Sequence, residues 1–251
     1  APIPTPAVWS DPEALGGLDR LTRATLQLWG AQPLVWVGLL ALPNALAALL
    51  PSLPEQYQWA QLVAWVVALG VGLAPALTAA ASQCETNEPF PGGTQGLARR
   101  LLDPVRITLP YVLLTLGTAS LFLYLRTGLP QHVLLLACLL LTAPFHALLA
   151  PALMLSVGRG APFRPGLQTA LRIAGRRTWV HMGLMVGLGL LLGVVLSFIA
   201  CSFTAAMNDR GDAVTRAVQV AGLAICESLW VCLLTICGLD ALAWPEPVEE
   251  D

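Results

Sequence analysis

The chain has 251 residues, 56% hydrophobic and only 11% charged, with a formal net charge of −2 and a mean hydropathy of +0.71. A soluble domain carries about 25% charged residues. A deficit this deep along the whole chain therefore excludes an ordinary soluble globular protein, and the small negative charge gives no reason to expect nucleic acid as a partner. The composition predicts an all-α, polytopic membrane protein. All 13 basic residues are Arg, which points to a GC-rich bacterial genome rather than to a particular chemistry.

Residues 1–16 form a polar, Pro-containing N-terminal segment. The first 33 residues hold no short apolar core ahead of a small-residue cleavage site, so the first span is expected to act as its own insertion signal. Gly17-Leu18 then opens a basic amphipathic stretch: Leu18, Leu21, Thr25 and Leu28 share one helical face, with Arg20, Arg23 and Gln27 away from it. Such a period of 3.6 with a basic polar face predicts a helix lying in the membrane interface. Two apolar runs follow, Leu34–Leu50 and Trp59–Ala80, each near the roughly 20 residues a spanning helix needs.

The pattern recurs. Gly92-Gly93 breaks the chain before Gly96-Leu97, where Leu97, Leu101 and Val105 lie beside Arg99, Arg100 and Arg106; the runs Ile107–Leu125 and His132–Ser156 come next. Pro165-Gly166 is the third break. Leu167, Leu171 and Ala174 lie beside Arg172 and Arg176, with Arg177 following, and the runs Trp179–Ala200 and Ala217–Leu239 complete the set. Upstream of the second and third copies the match continues: Ala74-Pro75-Ala76-Leu77 corresponds to Ala150-Pro151-Ala152-Leu153. A repeated unit is an architectural signature. It predicts a single membrane domain over 17–243, with three repeats at about 17–80, 96–157 and 166–243. Each repeat is a basic interfacial elbow helix followed by a transmembrane hairpin, six spans in all. Residues 244–251 form an acidic tail.

Arg distribution orients the bundle. With the N-terminus inside, the inner segments hold Arg20, Arg23, Arg99, Arg100, Arg106, Arg159, Arg164, Arg172, Arg176 and Arg177, and the outer loops hold Arg126, Arg210 and Arg216. Both termini are thus expected in the cytoplasm, in a bacterial inner membrane. Trp29, Trp36, Trp59, Trp179 and Trp244 fall at or near run ends, where an amphipathic ring suits the headgroup region. The six cysteines fit no zinc ribbon or CxxC pair and read as small buried hydrophobes.

The arrangement of elbows, hairpins and short loops, clearest in Ala150–Leu196 with its GLQTALRIAGRRTW stretch, resembles a group of bacterial six-helix membrane proteins. That group includes the membrane domain associated with some glycerophosphodiester phosphodiesterases. The resemblance implies a helical membrane fold. The phosphodiesterase chemistry belongs to a separate soluble domain in those proteins, so no catalytic residue is carried over.

Polar residues within the spans are the candidate sites. Glu227 lies eleven positions into the last run, roughly 16 Å deep, where a charge costs about 2.5–3.5 kcal/mol. It reads either as a proton or cation site or as a protonated carboxyl bonded to a neighbouring helix. His146, after Pro144, and Asn44, after Pro43, are also at mid-depth, and the three are expected to form one polar cluster. Arg99, Arg100, Arg172, Arg176 and Arg177 are candidates for anionic lipid headgroups or an acidic partner. Gly183, Gly187, Gly189 and Gly193 carry the small-xxx-small spacing of close helix packing, within the bundle or against another subunit.

No Walker loop, GxGxxG, HExxH or GxSxG occurs, so no catalytic residue, metal or cofactor is assigned. The leading expectation is a non-enzymatic membrane subunit or scaffold that contacts lipid and a membrane-protein partner or a second copy. The alternative is a small-solute, ion or lipid transporter using the cluster around Glu227. The third is an intramembrane lipid-acting enzyme with Glu227 and His146 as acid and base.

Overall fold

The computed structural model describes residues 18–48, 72–85, 117, 131–159, 163–173, 179–192, 195 and 212–243, and all regular structure among them is helical. Seven helices appear in these residues. They are α1 (Leu18–Ala31), α2 (Pro33–Ala48), α3 (72–85), α4 (Gln131–Arg159), α5 (Phe163–Ile173), α6 (Trp179–Leu192) and α7 (Asp212–Ala243).

Among the described residues two helices are long and apolar enough to cross a membrane, through the windows Leu140–Val157 and Val220–Leu242, and the bent pair α1–α2 adds a third if taken as one broken span. The α4 helix has 29 residues and α7 has 32. At 1.5 Å per residue they reach about 44 and 48 Å, longer than the roughly 30 Å of bilayer hydrocarbon. The expected spans beginning at Leu34, His132 and Ala217 each overlap a helix, and the described part of Trp179–Ala200 holds the shorter helix Trp179–Leu192. Only the last part of Trp59–Ala80 is described, where α3 continues to residue 85. Apart from Gly117, the run Ile107–Leu125 lies outside the described residues, as does the second elbow with Arg99 and Arg100.

The first elbow is a real bend. Described over Asp19–Ala31 and Pro33–Ala45, α1 and α2 meet at 79°, with Gln32 the single non-helical residue between them. Pro33 opens α2, where a missing N–H costs nothing and the fixed φ is already helical. The Gln32 carbonyl accepts the first bonds, from Val35 N at 3.0 Å and Trp36 N at 3.3 Å. Trp36 reaches back across the bend, its Nε1 donating to Leu28 O at 3.1 Å. This corrects the expected headgroup position of Trp36: the ring is fully buried because its N–H finds a carbonyl at the end of α1.

The amphipathic faces also find protein. Leu21, Ala24, Thr25 and Leu28 are buried, and α1 packs against α7, so the face expected to meet lipid meets a helix. In α5 the contacting face differs from the expected one. Gly166 and Ala170 are buried while Leu171 is 54% exposed, and α5 packs on α4. A Cβ on Gly166 would already touch Ala152 O and Ser156 Oγ at 3.4 Å. The small residues therefore go inward, and Leu171 faces outward with Arg164 and Arg172. Pro165-Gly166 is no breaker: both residues sit in the first turn of α5, whose N–H groups have no intrahelical acceptor to lose.

At the centre stands α7, packed by α1, α2 and α4. Residues 231–238 are buried on every side, the mark of a central helix rather than an amphipathic one. The two Ala-Pro-Ala-Leu copies share that interior: Ala74, Ala76 and Leu77 in α3 and Ala150, Ala152 and Leu153 in α4 have no exposure. Close approach depends on two glycines. A Cβ at Gly72 would lie 3.0 Å from Pro43 Cγ and 3.3 Å from Leu39 O, and one at Gly238 would lie 2.5 Å from Met154 Cγ and 2.6 Å from Ala150 O. Gly183 and Gly187 are different: a Cβ there meets nothing within 4 Å, so among the described residues their spacing packs against no neighbouring helix. Gly189 is half-buried, and Gly193 lies outside the described residues.

Gly238→Ala is expected to lower stability by about 1–3 kcal/mol through overpacking, because the Ala150 carbonyl it strikes is backbone. Gly183→Ala is expected to leave stability unchanged or slightly raised. Thermal unfolding of both variants in detergent checks this, and equal melting temperatures would contradict the close α4–α7 contact.

Candidate functional site: a polar seam along α7

Four polar contacts join α7 to four other helices. Nearest its N-terminal half, Glu227 Oε2 accepts from Asn44 Nδ2 of α2 at 2.6 Å. Asn44 sits one residue beyond Pro43, and its Nδ2 also donates to Leu40 O at 3.0 Å. Asn44 is buried and Glu227 half-buried. The next residue, Ser228, accepts from Trp29 Nε1 of α1 at 2.8 Å and donates to Ile225 O at 2.7 Å. A hydroxyl that bonds both ways leaves no polar atom stranded in an apolar bundle.

One turn further, Trp230 meets His146 of α4 edge to face, with ring centroids 5.5 Å apart and planes at 87°. This is the favoured arrangement of aromatic quadrupoles. The expected cluster is thus two neighbouring contacts: Asn44 and Glu227 are bonded, and His146 stands against Trp230, three residues along α7 from Glu227.

The fourth contact is one the sequence reading misses. His181 Nε2 of α6 lies 2.9 Å from Asp240 Oδ2, and both side chains are almost wholly buried, at 2% and 1% exposure. Asp240 is nine residues from the middle of the Val220–Leu242 window, about 14 Å along the axis and so near the edge of the hydrocarbon. One signal for it was present: a carboxylate between Leu239 and Ala241-Leu242 in an apolar run is costly unless paired. Its partner, 59 residues away, is set by tertiary packing alone.

Of the other candidates, Arg172 is exposed on α5, and Arg99, Arg100, Arg176 and Arg177 lie outside the described residues. Arg23 pairs with Asp19 at 2.7 Å, both about three-quarters exposed, a contact worth little in solvent. Cys84, Cys226, Cys232 and Cys237 are buried free thiols. Burial, with the adjacent Glu85 carboxylate, pushes the Cys84 thiol up to about 12, so it stays protonated and unreactive. Among the described residues no group of three or more His, Cys, Asp or Glu could hold a metal ion.

Fold and seam together define a helical protein with membrane-crossing helices whose buried polar groups bind helix to helix. No protein-family model matches the chain, and neither a characterised protein nor a solved structure matches it.

Removing either partner of the His181–Asp240 pair takes a buried contact from the other, at a cost of about 1–3 kcal/mol. In a double-mutant cycle of His181→Ala and Asp240→Ala the two losses are therefore expected not to add, with a coupling of about 0.5–3 kcal/mol. Additive losses in thermal or denaturant unfolding would show that the pair carries no interaction.

Proposed function

We propose that the chain is a non-enzymatic integral membrane subunit or scaffold. In this reading six spanning helices form three hairpins in a bacterial inner membrane, both ends are cytoplasmic, and the elbow arginines meet anionic lipid headgroups. The observation that carries it is the use made of the buried polar groups. Glu227, Ser228 and Asp240 each bond a side chain of a different neighbouring helix, which is what a packed structural bundle does with them. The faces turned outward are apolar: Leu34 is 87% exposed, Trp179 72% and Leu42 66%. Such faces suit lipid and a membrane-embedded partner or second copy. The open Gly183 and Gly187 positions on α6 leave room for another helix to approach.

The convergence of Asn44 and Glu227, with His146 against Trp230 one turn along α7, favours a second reading, a transporter for a small solute, ion or lipid with these residues at its midplane. Two experiments separate the readings. Under the scaffold reading, gentle-detergent isolation of the native protein recovers a membrane-protein partner or a second copy in fixed stoichiometry, and Glu227→Gln leaves that recovery intact. Recovery of the chain alone, with proteoliposome flux abolished by Glu227→Gln, would replace it with the transporter reading.

A further inference from the structure

Asn44 and Glu227 share one hydrogen bond, from Nδ2 to Oε2, and each keeps a second polar atom beside it. The Asn44 nitrogen is fully committed, giving its hydrogens to Leu40 O and to Glu227 Oε2. Two acceptors there fix which amide atom is nitrogen, since an oxygen turned toward them would meet two further oxygens. What remains is Asn44 Oδ1 and Glu227 Oε1. Both are buried, and neither has a hydrogen-bond partner among the described residues. Both are acceptors as long as the carboxyl is ionised. The pair therefore lacks one donor.

A single proton on the carboxyl supplies that donor. It removes a charge that costs about 2.5–3.5 kcal/mol within a span, and it gives one of two stranded oxygens, each costing about 1–3 kcal/mol, a hydrogen to share. A metal ion fits less well. Calcium takes about 6–8 oxygens and magnesium a full octahedron, against the two that these side chains leave open.

Among the described residues no counter-charge bears on Glu227. From α1 the neighbouring group is Trp29, bonded to Ser228; from α4 it is His146, against Trp230; on α7 itself it is the buried thiol of Cys226. Glu227 makes no ion pair among the described residues.

We propose that the α2–α7 contact is a proton-binding site, in which Glu227 holds a proton and forms with Asn44 a neutral acid–amide clamp between the two helices. Losing that proton sets a carboxylate among acceptor oxygens in an apolar interior, so the fit of α2 against α7 follows proton activity. The proposal depends on the buried helix contact and not on the scaffold reading, and it holds equally for a transporter.

Infrared spectroscopy of the full chain in lipid bilayers tests it. At neutral pH the wild type is expected to show a carboxylic-acid carbonyl band that Glu227→Gln lacks and that Asn44→Leu moves, because the acid loses its amide partner. A neutral-pH spectrum that does not differ in this band between wild type and Glu227→Gln overturns the proposal. Should the variants fail to fold, wild-type protein made with isotopically labelled glutamate decides. The band shifts if the acid is a glutamate, whereas a band that stays in place, or no band, overturns the assignment. Addition of sodium or calcium is expected to leave the band unchanged; its replacement by carboxylate bands would mean a cation site instead.

Discussion

A polar side chain inside an apolar bundle must find a partner, and the arrangement of this protein follows from that constraint acting on one helix. α7 carries Glu227, Ser228, Trp230 and Asp240 within its apolar length. Each is met by a group from a different helix: Asn44 of α2, Trp29 of α1, His146 of α4 and His181 of α6. Helices in lipid gain little from burying one another's apolar surface, because the lipid tails are equally apolar. The polar contacts therefore fix the register and rotation of each helix on α7, and van der Waals packing fills in between them.

That packing depends on small residues at a few crossings. Gly238 lets α7 come against the Ala150 carbonyl of α4, Gly72 lets α3 come against Pro43 and Leu39 of α2, and Gly166 seats α5 on α4. Hydroxyls within the helices bond back along their own turns, as Thr78 does to Ala74 O, Thr235 to Val231 O and Thr25 to Leu21 O. These three add no loose polar atom to the interior, whereas the buried Ser156 Oγ of α4 has no hydrogen-bond partner among the described residues. The bend after α1 belongs to the same scheme: it brings Trp29 to Ser228 while Trp36 secures the corner to Leu28.

Much of this was legible in the sequence. Long apolar runs announce the helices α2, α4, α6 and α7, of which α4 and α7 are each long and apolar enough to cross a membrane. The first elbow is visible as a change from a basic 3.6 period to an all-apolar run. Asn44 and Glu227 stand out as polar residues at mid-depth, and their pairing follows from the cost of leaving either alone. What was not legible depends on distances between helices. The Gly183–Gly193 spacing identifies a smooth face but not what it touches, and the glycines that do permit close contact are isolated ones. His181 looks like an ordinary residue at a helix start until folding places it on Asp240. On α5, periodicity alone could not choose between the Leu167–Leu171 face and the Gly166–Ala170 face, because the partner helix makes that choice.

α7 is the post around which the other described helices are held. Hydrogen–deuterium exchange along the whole chain in lipid bilayers tests it most directly, since backbone amides report how firmly each segment is retained. The slowest exchange is expected in residues 231–238 of α7, with α6 exchanging faster because its Gly183 and Gly187 face no other described residue. An α7 that exchanges as readily as α6 would contradict it.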